Sequence, residues 1–200
     1  MMIASIGFVL AAYLIGSISF AVVASKVFGL PDPHTYGSGN PGATNVLRTG
    51  NKAAAAVTLI GDGAKGWLAV WLAIRYGPAA GTAAWTVPAV ALAVFLGHLF
   101  PVFHRFAGGK GVATAAGIIT ALHASLGLVL TIVWMTIAFG FRVSSLASLA
   151  AALFAPIGAF YVFGNALTAW ATVPIALLLV WRHRVNIRQL FSGTERRIGR

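Results

Sequence analysis

The chain has 200 residues, of which 59% are hydrophobic and only 8% charged, with a mean hydropathy of +0.89; soluble domains carry roughly 25% charged residues, so a water-soluble globular fold is excluded. The formal net charge is +11, which in a polar protein would point to nucleic acid; in a chain this apolar it marks cationic loops at the cytoplasmic membrane surface, able to meet anionic lipids or phosphorylated solutes. Cysteine is absent, which removes a disulfide framework, a thiolate nucleophile and a Cys-type metal site.

A chain of this length holds about five to seven spans of roughly 20 residues and little else, so a single membrane domain over 1–200 is expected. Ile3 to Val23 is the first apolar run, and with no basic n-region before it, it reads as a span rather than a signal peptide. A polar stretch from Lys26 to Lys52 follows. It contains Gly37-Ser38-Gly39-Asn40-Pro41-Gly42-Ala43-Thr44-Asn45, then Arg48, then the start of a helix. Glycines let backbone N–H groups crowd an anion, hydroxyls and amides add donors, and a helix N-terminus adds partial positive charge. This reads as a phosphate cradle, against the competing reading of ordinary turn chemistry; the P-loop spacing is not present.

Ala53 to Ile74 is the second run, and inside it Asp62 and Lys65 stand three residues apart on one helical face. Ionisable residues at membrane depth are functional candidates, and a mutually neutralised structural pair is the alternative. After a short turn at Arg75 to Gly81, a third run covers Ala83 to Phe100. His98, near its proline-bent end, reads as a structural hydrogen bonder. The second polar stretch, Pro101 to Gly111, carries Gly108-Gly109-Lys110-Gly111 and leads through Val112 and Ala113 to Thr114 in a new helix. Flexible donors, a mobile cation and a positive dipole end again come together, so a second anion site is expected; Lys110 alone would read as a topology-setting interfacial lysine.

More apolar sequence runs from Val112 to Phe141 and from Leu146 to Trp181, with breaks near Arg142 to Ser145 and near Gly164 to Asn165, giving three segments. The polar tail, 182–200, opens with His183, Asn186 and Arg188, placed to share a helical face at the interface. His183 reads either as an acid or base or as a snorkelling interfacial residue; Glu195, among tail arginines, reads as their pairing partner.

The stretches 26–52, 101–111 and 182–200 hold all of the 14 basic residues except Lys65, Arg75 and Arg142. The positive-inside rule places these loops in the cytoplasm and the amino terminus outside. Between the second loop and the tail the chain then crosses an even number of times, so one of the three segments is a half-span or re-entrant helix. Its irregular backbone needs a protein-lined or watery cavity, for which Arg142, Ser144, Ser145 and Ser148 are polar enough. The expected fold is an all-α integral membrane protein, a polytopic helical bundle of about five full spans plus one or two half or re-entrant helices.

Asp32, Asp62 and Glu195 are the only carboxylates, too few for a paired-carboxylate hydrolase or a hard-cation site. His34, His104 and His123 have no second ligand at metal spacing and receive no role. No histidine has an acid five residues later, so the H-x-x-x-x-D arrangement of common lipid acyltransferases is missing. A reaction on anionic substrates without metal or cofactor is favoured.

These motifs, in this order along nearly the whole chain, resemble the acyl-phosphate-dependent glycerol-3-phosphate acyltransferases of bacterial phospholipid synthesis. The resemblance rests on the Gly37–Asn45 run with Arg48, on His98 and Pro101 leading into Gly108-Gly109-Lys110-Gly111-Val112-Ala113-Thr114, and on His183, Asn186, Ile187 and Glu195 in the tail. It implies that Ser38 and Arg48 are needed for activity, that Gly108, Gly109 and Gly111, with Lys110 beside them, bind glycerol 3-phosphate, and that His183 and Asn186 support activity while Glu195 supports structure. A serine of the broken-helix region belongs to the family's site, and both Ser145 and Ser148 fit. With the cradle reading, Gly39, Asn40, Gly42, Thr44, Asn45, Thr114 and Arg188 join the phosphate-binding candidates, and Asp62 and Lys65 the structural ones. The implied substrates are acyl phosphate and glycerol 3-phosphate, the implied partners membrane lipid and an enzyme that produces acyl phosphate, and the implied place the bacterial inner membrane. A transporter of a phosphorylated solute is the alternative; it would call for polar determinants on both faces or an inverted repeat, and the polar loops lie on one side.

Overall fold

The computed structural model describes residues 1–198; Arg200, counted in the basic tail above, lies outside them. All regular structure among the described residues is helical, in two compact units, Met1–Leu122 and His123–Arg200.

The first unit contains α1 (Met2–Gly16), α2 (Phe20–Val27), the short α3 (Ala43–Leu47), α4 (Lys52–Tyr76), α5 (Thr86–Leu99) and α6 (Val112–Leu122). α4 is its hub, touching α1, α2, α3, α5 and α6, while α1 lies along α5. The expected first span is two helices meeting at a 42° bend. Local serine chemistry explains the bend. Ser17 Oγ donates back to the Tyr13 carbonyl (2.9 Å), a bond that loosens and bends helices. The Val22 N–H, which in a continuous helix would donate to the Ile18 carbonyl, donates instead to Ser19 Oγ (3.4 Å). Lys65 Nζ takes over the Ile18 carbonyl at 2.6 Å.

Helices in this unit approach through glycines. A Cβ on Gly16 would strike the Val94 carbonyl and one on Gly97 the Tyr13 carbonyl, across α1 and α5; one on Gly66 would strike Thr114 and one on Gly117 the Gly63 carbonyl, across α4 and α6. In a membrane, where lipid is as apolar as leucine, such close backbone contact is the main source of helix association. Polar clasps add direction. Tyr13 Oη donates to the Phe100 carbonyl (2.7 Å), and Ser5 Oγ accepts from Thr86 Oγ1 (2.8 Å) and from the Ala83 N–H (3.0 Å).

The second unit contains α7 (Ala124–Phe141), α8 (Ser144–Phe163), α9 (Leu167–Arg182) and α10 (Arg184–Phe191), with α8 between α7 and α9. The two anticipated breaks are present: Arg142 takes a left-handed conformation at φ 58°, and Gly164 turns at φ 57°. A third break, not anticipated, falls at His123. Its Nδ1 accepts from the Leu126 N–H (3.4 Å) and so caps α7. The apolar run from Val112 to Phe141 is therefore two helices, and α6, with 11 residues, reaches only about 16 Å, roughly half of a bilayer's hydrocarbon core. Among the described residues four segments are long and apolar enough to cross, α4, α7, α8 and Thr86–His104 (α5 with the turn after it); the bent α1–α2 pair, taken as one span, makes five, and α6 and α9 are shorter.

Gly117→Ala places a methyl group against the Gly63 backbone and is expected to cost about 1–3 kcal/mol through overpacking, lowering the melting temperature in detergent. Gly140→Ala, with nothing within 4 Å of the added carbon, is the control and leaves the melt unchanged or raised.

Candidate active site

The first loop is organised by one amide. Asn45 is 2% exposed. Its Oδ1 accepts from the Ser38 N–H (3.0 Å) and from Arg48 Nη1 (3.3 Å), and its Nδ2 donates to the carbonyls of Pro33 (2.9 Å) and Tyr36 (3.2 Å). That is the whole hydrogen-bonding capacity of a carboxamide. Asn45 therefore belongs to the loop's framework, which corrects its place among phosphate-binding groups. Gly37 sits at φ 61°, and a side chain there would collide with Asn45 Oδ1; only glycine lets the turn close on the amide. Around this frame Ser38, Gly39, Thr44 and Arg48 are exposed, and Asn40 and Gly42 half-buried.

The second loop packs against the end of α5. A Cβ on Gly108 would meet the carbonyls of His98 and Leu99, and one on Gly109 would meet the His98 ring and lie 3.0 Å from the Pro41 carbonyl. The Gly109 N–H donates to the His98 carbonyl (3.2 Å). Gly111 turns at φ 84° against Phe95, which leaves Lys110 half-buried between tightly seated glycines. Pro41 on the first loop and Gly109 on the second are neighbours, so the two glycine-rich loops adjoin. Thr114, expected to bind phosphate, is fully buried and donates to the Asp62 carbonyl (3.0 Å). It holds α6 to α4, a second correction.

Beneath the second loop lies a buried charge cluster. Lys65 Nζ is 2.8 Å from Asp62 Oδ1, and His98 Nδ1 is 3.6 Å from the same oxygen; the side chains are 3–7% exposed. The first is a close ion pair and the second only an electrostatic neighbour. With its bond to Ile18, Lys65 ties α4 to the α1–α2 bend, and His98 ties the same carboxylate to the Gly108–Gly109 seat. Asp62 and Lys65 are thus a buried ion pair.

At the other end of the first loop, Asp32 opens the turn. Its Oδ1 accepts from the His34 N–H (2.9 Å) and lies 2.6 Å from His34 Nδ1. The His34 backbone bond holds the Asp32 carboxyl below the usual carboxylate range against the opposing effect of burial, with the His34 ring adding to the lowering. His34, given no role from sequence, thus has partners; the only signal for it is the Asp-x-His spacing of an Asx turn.

In the second unit the serines, Asn186 and Glu195 form one hydrogen-bonded set. Glu195 Oε1 accepts from Ser145 Oγ (2.6 Å) and Asn186 Nδ2 (2.8 Å). Among the described residues these are its hydrogen-bond partners, so it fixes a serine and an amide rather than the tail arginines. Ser148 is buried too, but it donates to the Ser144 carbonyl (2.8 Å) and accepts from Trp134 Nε1 (3.0 Å), joining α7 to α8. Of the two serines, Ser145 is the one wired to Asn186. His183 sits at the α9–α10 junction, 2% exposed, its Nδ1–H donating to the Leu179 carbonyl (2.8 Å). α10 begins there, with the Ile187 N–H donating to the His183 carbonyl (2.8 Å); Asn186 is half-buried and Arg188 exposed.

Residues 6–193 match the model of the glycerol-3-phosphate acyltransferase family. A glycerol-3-phosphate acyltransferase of Cupriavidus pinatubonensis is 67% identical over 198 residues, 98% of this chain and 97% of that protein; one from Burkholderia multivorans is 60% identical over 192 residues, 95% and 89% respectively. The crystal structure of PlsY, an integral membrane glycerol 3-phosphate acyltransferase, in its glycerol 3-phosphate form superposes with a TM-score of 0.89 at 38% identity, over 98% of this chain and 96% of that one. Its lysophosphatidic acid form gives 0.87 at 37%, over 98% and 95%.

Lys65→Met leaves the Asp62 carboxylate buried without its ammonium and is expected to destabilise by roughly 3–5 kcal/mol. The double variant Asp62→Asn, Lys65→Met recovers more than half of that loss, because the two residues are directly coupled; thermal melts of the four proteins in detergent give the cycle.

Proposed function

Because the chain belongs to the glycerol-3-phosphate acyltransferase family, we propose that it takes its acyl group from acyl phosphate and releases lysophosphatidic acid and inorganic phosphate. It is an integral membrane acyltransferase, and the family match runs through both compact units, which supports reading 1–200 as one functional domain. The positive-inside rule supports a cytoplasmic placement of the glycine loops in a bacterial inner membrane, with the amino terminus outside.

The carrying observation is the meeting of two glycine-rich loops, Pro41 beside Gly109, with Arg48 on one and Lys110 on the other. Two adjoining glycine-rich loops, each carrying a cation, suit a reaction between two phosphate-bearing substrates. Acyl phosphate is a mixed anhydride whose carbonyl is already activated, so a glycerol 3-phosphate hydroxyl attacks it directly. The new ester C–O bond forms as the C–O bond to phosphate breaks. The hydroxyl proton leaves with inorganic phosphate, whose oxygens are basic, and the balance closes without an acyl-enzyme.

Arg48, Lys110 and the loop N–H groups neutralise the phosphates and hold hydroxyl and carbonyl together, so positioning and electrostatics carry the catalysis. Ser38, exposed at the loop tip, donates to the acyl phosphate or to the developing oxyanion. Gly39, Asn40, Gly42 and Thr44 complete one cradle; Gly108, Gly109 and Gly111 complete the other. In the second unit Ser145 and Asn186, both bonded to Glu195, and His183 are the residues proposed to support activity. Arg188, exposed on α10, meets phosphate at the membrane surface. Phosphate as leaving group removes the need for coenzyme A, and the donor must come from an enzyme that makes acyl phosphate.

Purified protein given acyl phosphate and labelled glycerol 3-phosphate in detergent is expected to form lysophosphatidic acid, with Ser38→Ala and Arg48→Ala each slower by about a hundredfold or more. Product formed only from acyl-CoA overturns the donor assignment; no product from folded protein with either donor overturns the reading.

A further inference from the structure

His34 makes two polar contacts with its ring. Nδ1 is 2.6 Å from Asp32 Oδ1, and Nε2 is 3.0 Å from the carbonyl oxygen of Ala107, which lies 73 positions along the chain. A carbonyl oxygen only accepts, and an ionised carboxylate only accepts. The carboxyl of Asp32 is held ionised by the His34 backbone N–H as well as by the ring. A neutral imidazole has one N–H and can serve only one of these acceptors; the imidazolium serves both.

The two contacts join the functional loops at sensitive points. Ala107 immediately precedes Gly108 and Gly109, which are buried against His98 and Leu99. On the other side, His34 stands between Pro33 and Tyr36, the two residues whose carbonyls are held by Asn45 Nδ2, and its own carbonyl is 3.4 Å from where a Cβ on Gly39 would stand. A shift of His34 therefore moves the Asn45 frame that holds Ser38 and Arg48.

We propose that His34, as its imidazolium, is a positioning residue that clasps the first glycine loop to the second and so sets the spacing of the two phosphate cradles. This rests on the reading of those loops as substrate cradles. Other charges face the clasp. The His104 ring, from the turn after α5, lies 6.4 Å away between centroids, and Lys26 of α2 and Lys65 of α4 act electrostatically on His104. These cations oppose a second positive charge, whereas Asp32, in direct contact, favours it. A neutral ring, with its single N–H, leaves one acceptor unserved and loosens the loops.

The test compares wild type, His34→Ala and His34→Arg, whose guanidinium keeps both donors and its charge at every working pH. At about pH 6.5, a working pH chosen for the comparison, His34→Ala is expected to raise KM for glycerol 3-phosphate about tenfold with kcat within about twofold, the scale of one lost charge-assisted bond. His34→Arg restores the wild-type KM at that pH. The ratio of wild-type KM to that of His34→Arg then climbs several-fold by about pH 8.5, and substrate ionisation cancels in this ratio. An unchanged KM in His34→Ala, a defect that His34→Arg does not rescue, or a flat ratio overturns the clasp. Deuterium uptake by residues 30–48 and 105–112 is measured in parallel without substrates. It rises in both segments together in His34→Ala and in neither in His34→Arg; unchanged uptake in His34→Ala overturns the clasp whichever donor the enzyme uses, whereas absence of product from wild type bears on the reaction alone.

Discussion

A carboxylate in the middle of an apolar span is tolerable only if its charge is met on the spot, and in this protein that demand organises the first unit. Asp62 cannot reach water from α4, so Lys65, one turn along, turns inward to it. The lysine then has donors to place, and the Ile18 carbonyl, released by the serine-capped bend between α1 and α2, takes one. The same carboxylate faces His98, whose ring and carbonyl form the surface on which Gly108 and Gly109 lie. One buried charge thus fixes a bend, a helix pairing and the floor of a loop. Replacing the pair by matched apolar residues is often neutral for stability in other proteins; here that exchange would leave the bend and the loop floor without a common anchor.

Glycine serves the same end by different means. In α1, α4, α5 and α6 it removes side chains so that carbonyls of neighbouring helices come into contact, which substitutes for the hydrophobic driving force that lipid cannot supply. In the two loops it allows backbone turns that close on Asn45 and Phe95. The helices are therefore closely packed where they hold the loops, and the loops are pinned where they close on Asn45 and Phe95. A site that works by electrostatic preorganisation requires such pinning, because donors that must reorient during the reaction lose most of their effect.

Much of this was legible in the sequence because hydropathy and charge placement act over long windows. Span positions, the polar loops and the presence of two glycine-rich basic motifs follow from runs of twenty residues or from several residues together. The misreadings concern single side chains. Asn45 and Thr114 sit inside motifs that look uniformly phosphate-binding, yet both are buried and committed to the backbone, and whether an amide points into a loop or out of it has no linear signature. His123 broke a run that is apolar on both sides, since a single imidazole capping three residues ahead barely changes a hydropathy average. Glu195 lies among arginines along the chain but meets Ser145, fifty positions earlier, only after folding. His34 was dismissed for want of a metal partner, although its second acceptor is a main-chain carbonyl that no motif could announce.

The division of labour that results is physical rather than positional. Buried groups such as Asn45, Thr114 and Ser148, with half-buried Glu195, make the frame; others, such as Ser38 and Arg48, lie exposed at its surface. The first set must be buried to be strong, and the second must be exposed to be useful, so a motif that supplies both has to fold back on itself within a few residues. Nine residues from Gly37 to Asn45 do this by spending one amide on four backbone and side-chain partners. The exposed serine and arginine thus inherit their positions from a buried amide, and the geometry of the loop's surface is set by a group beneath it.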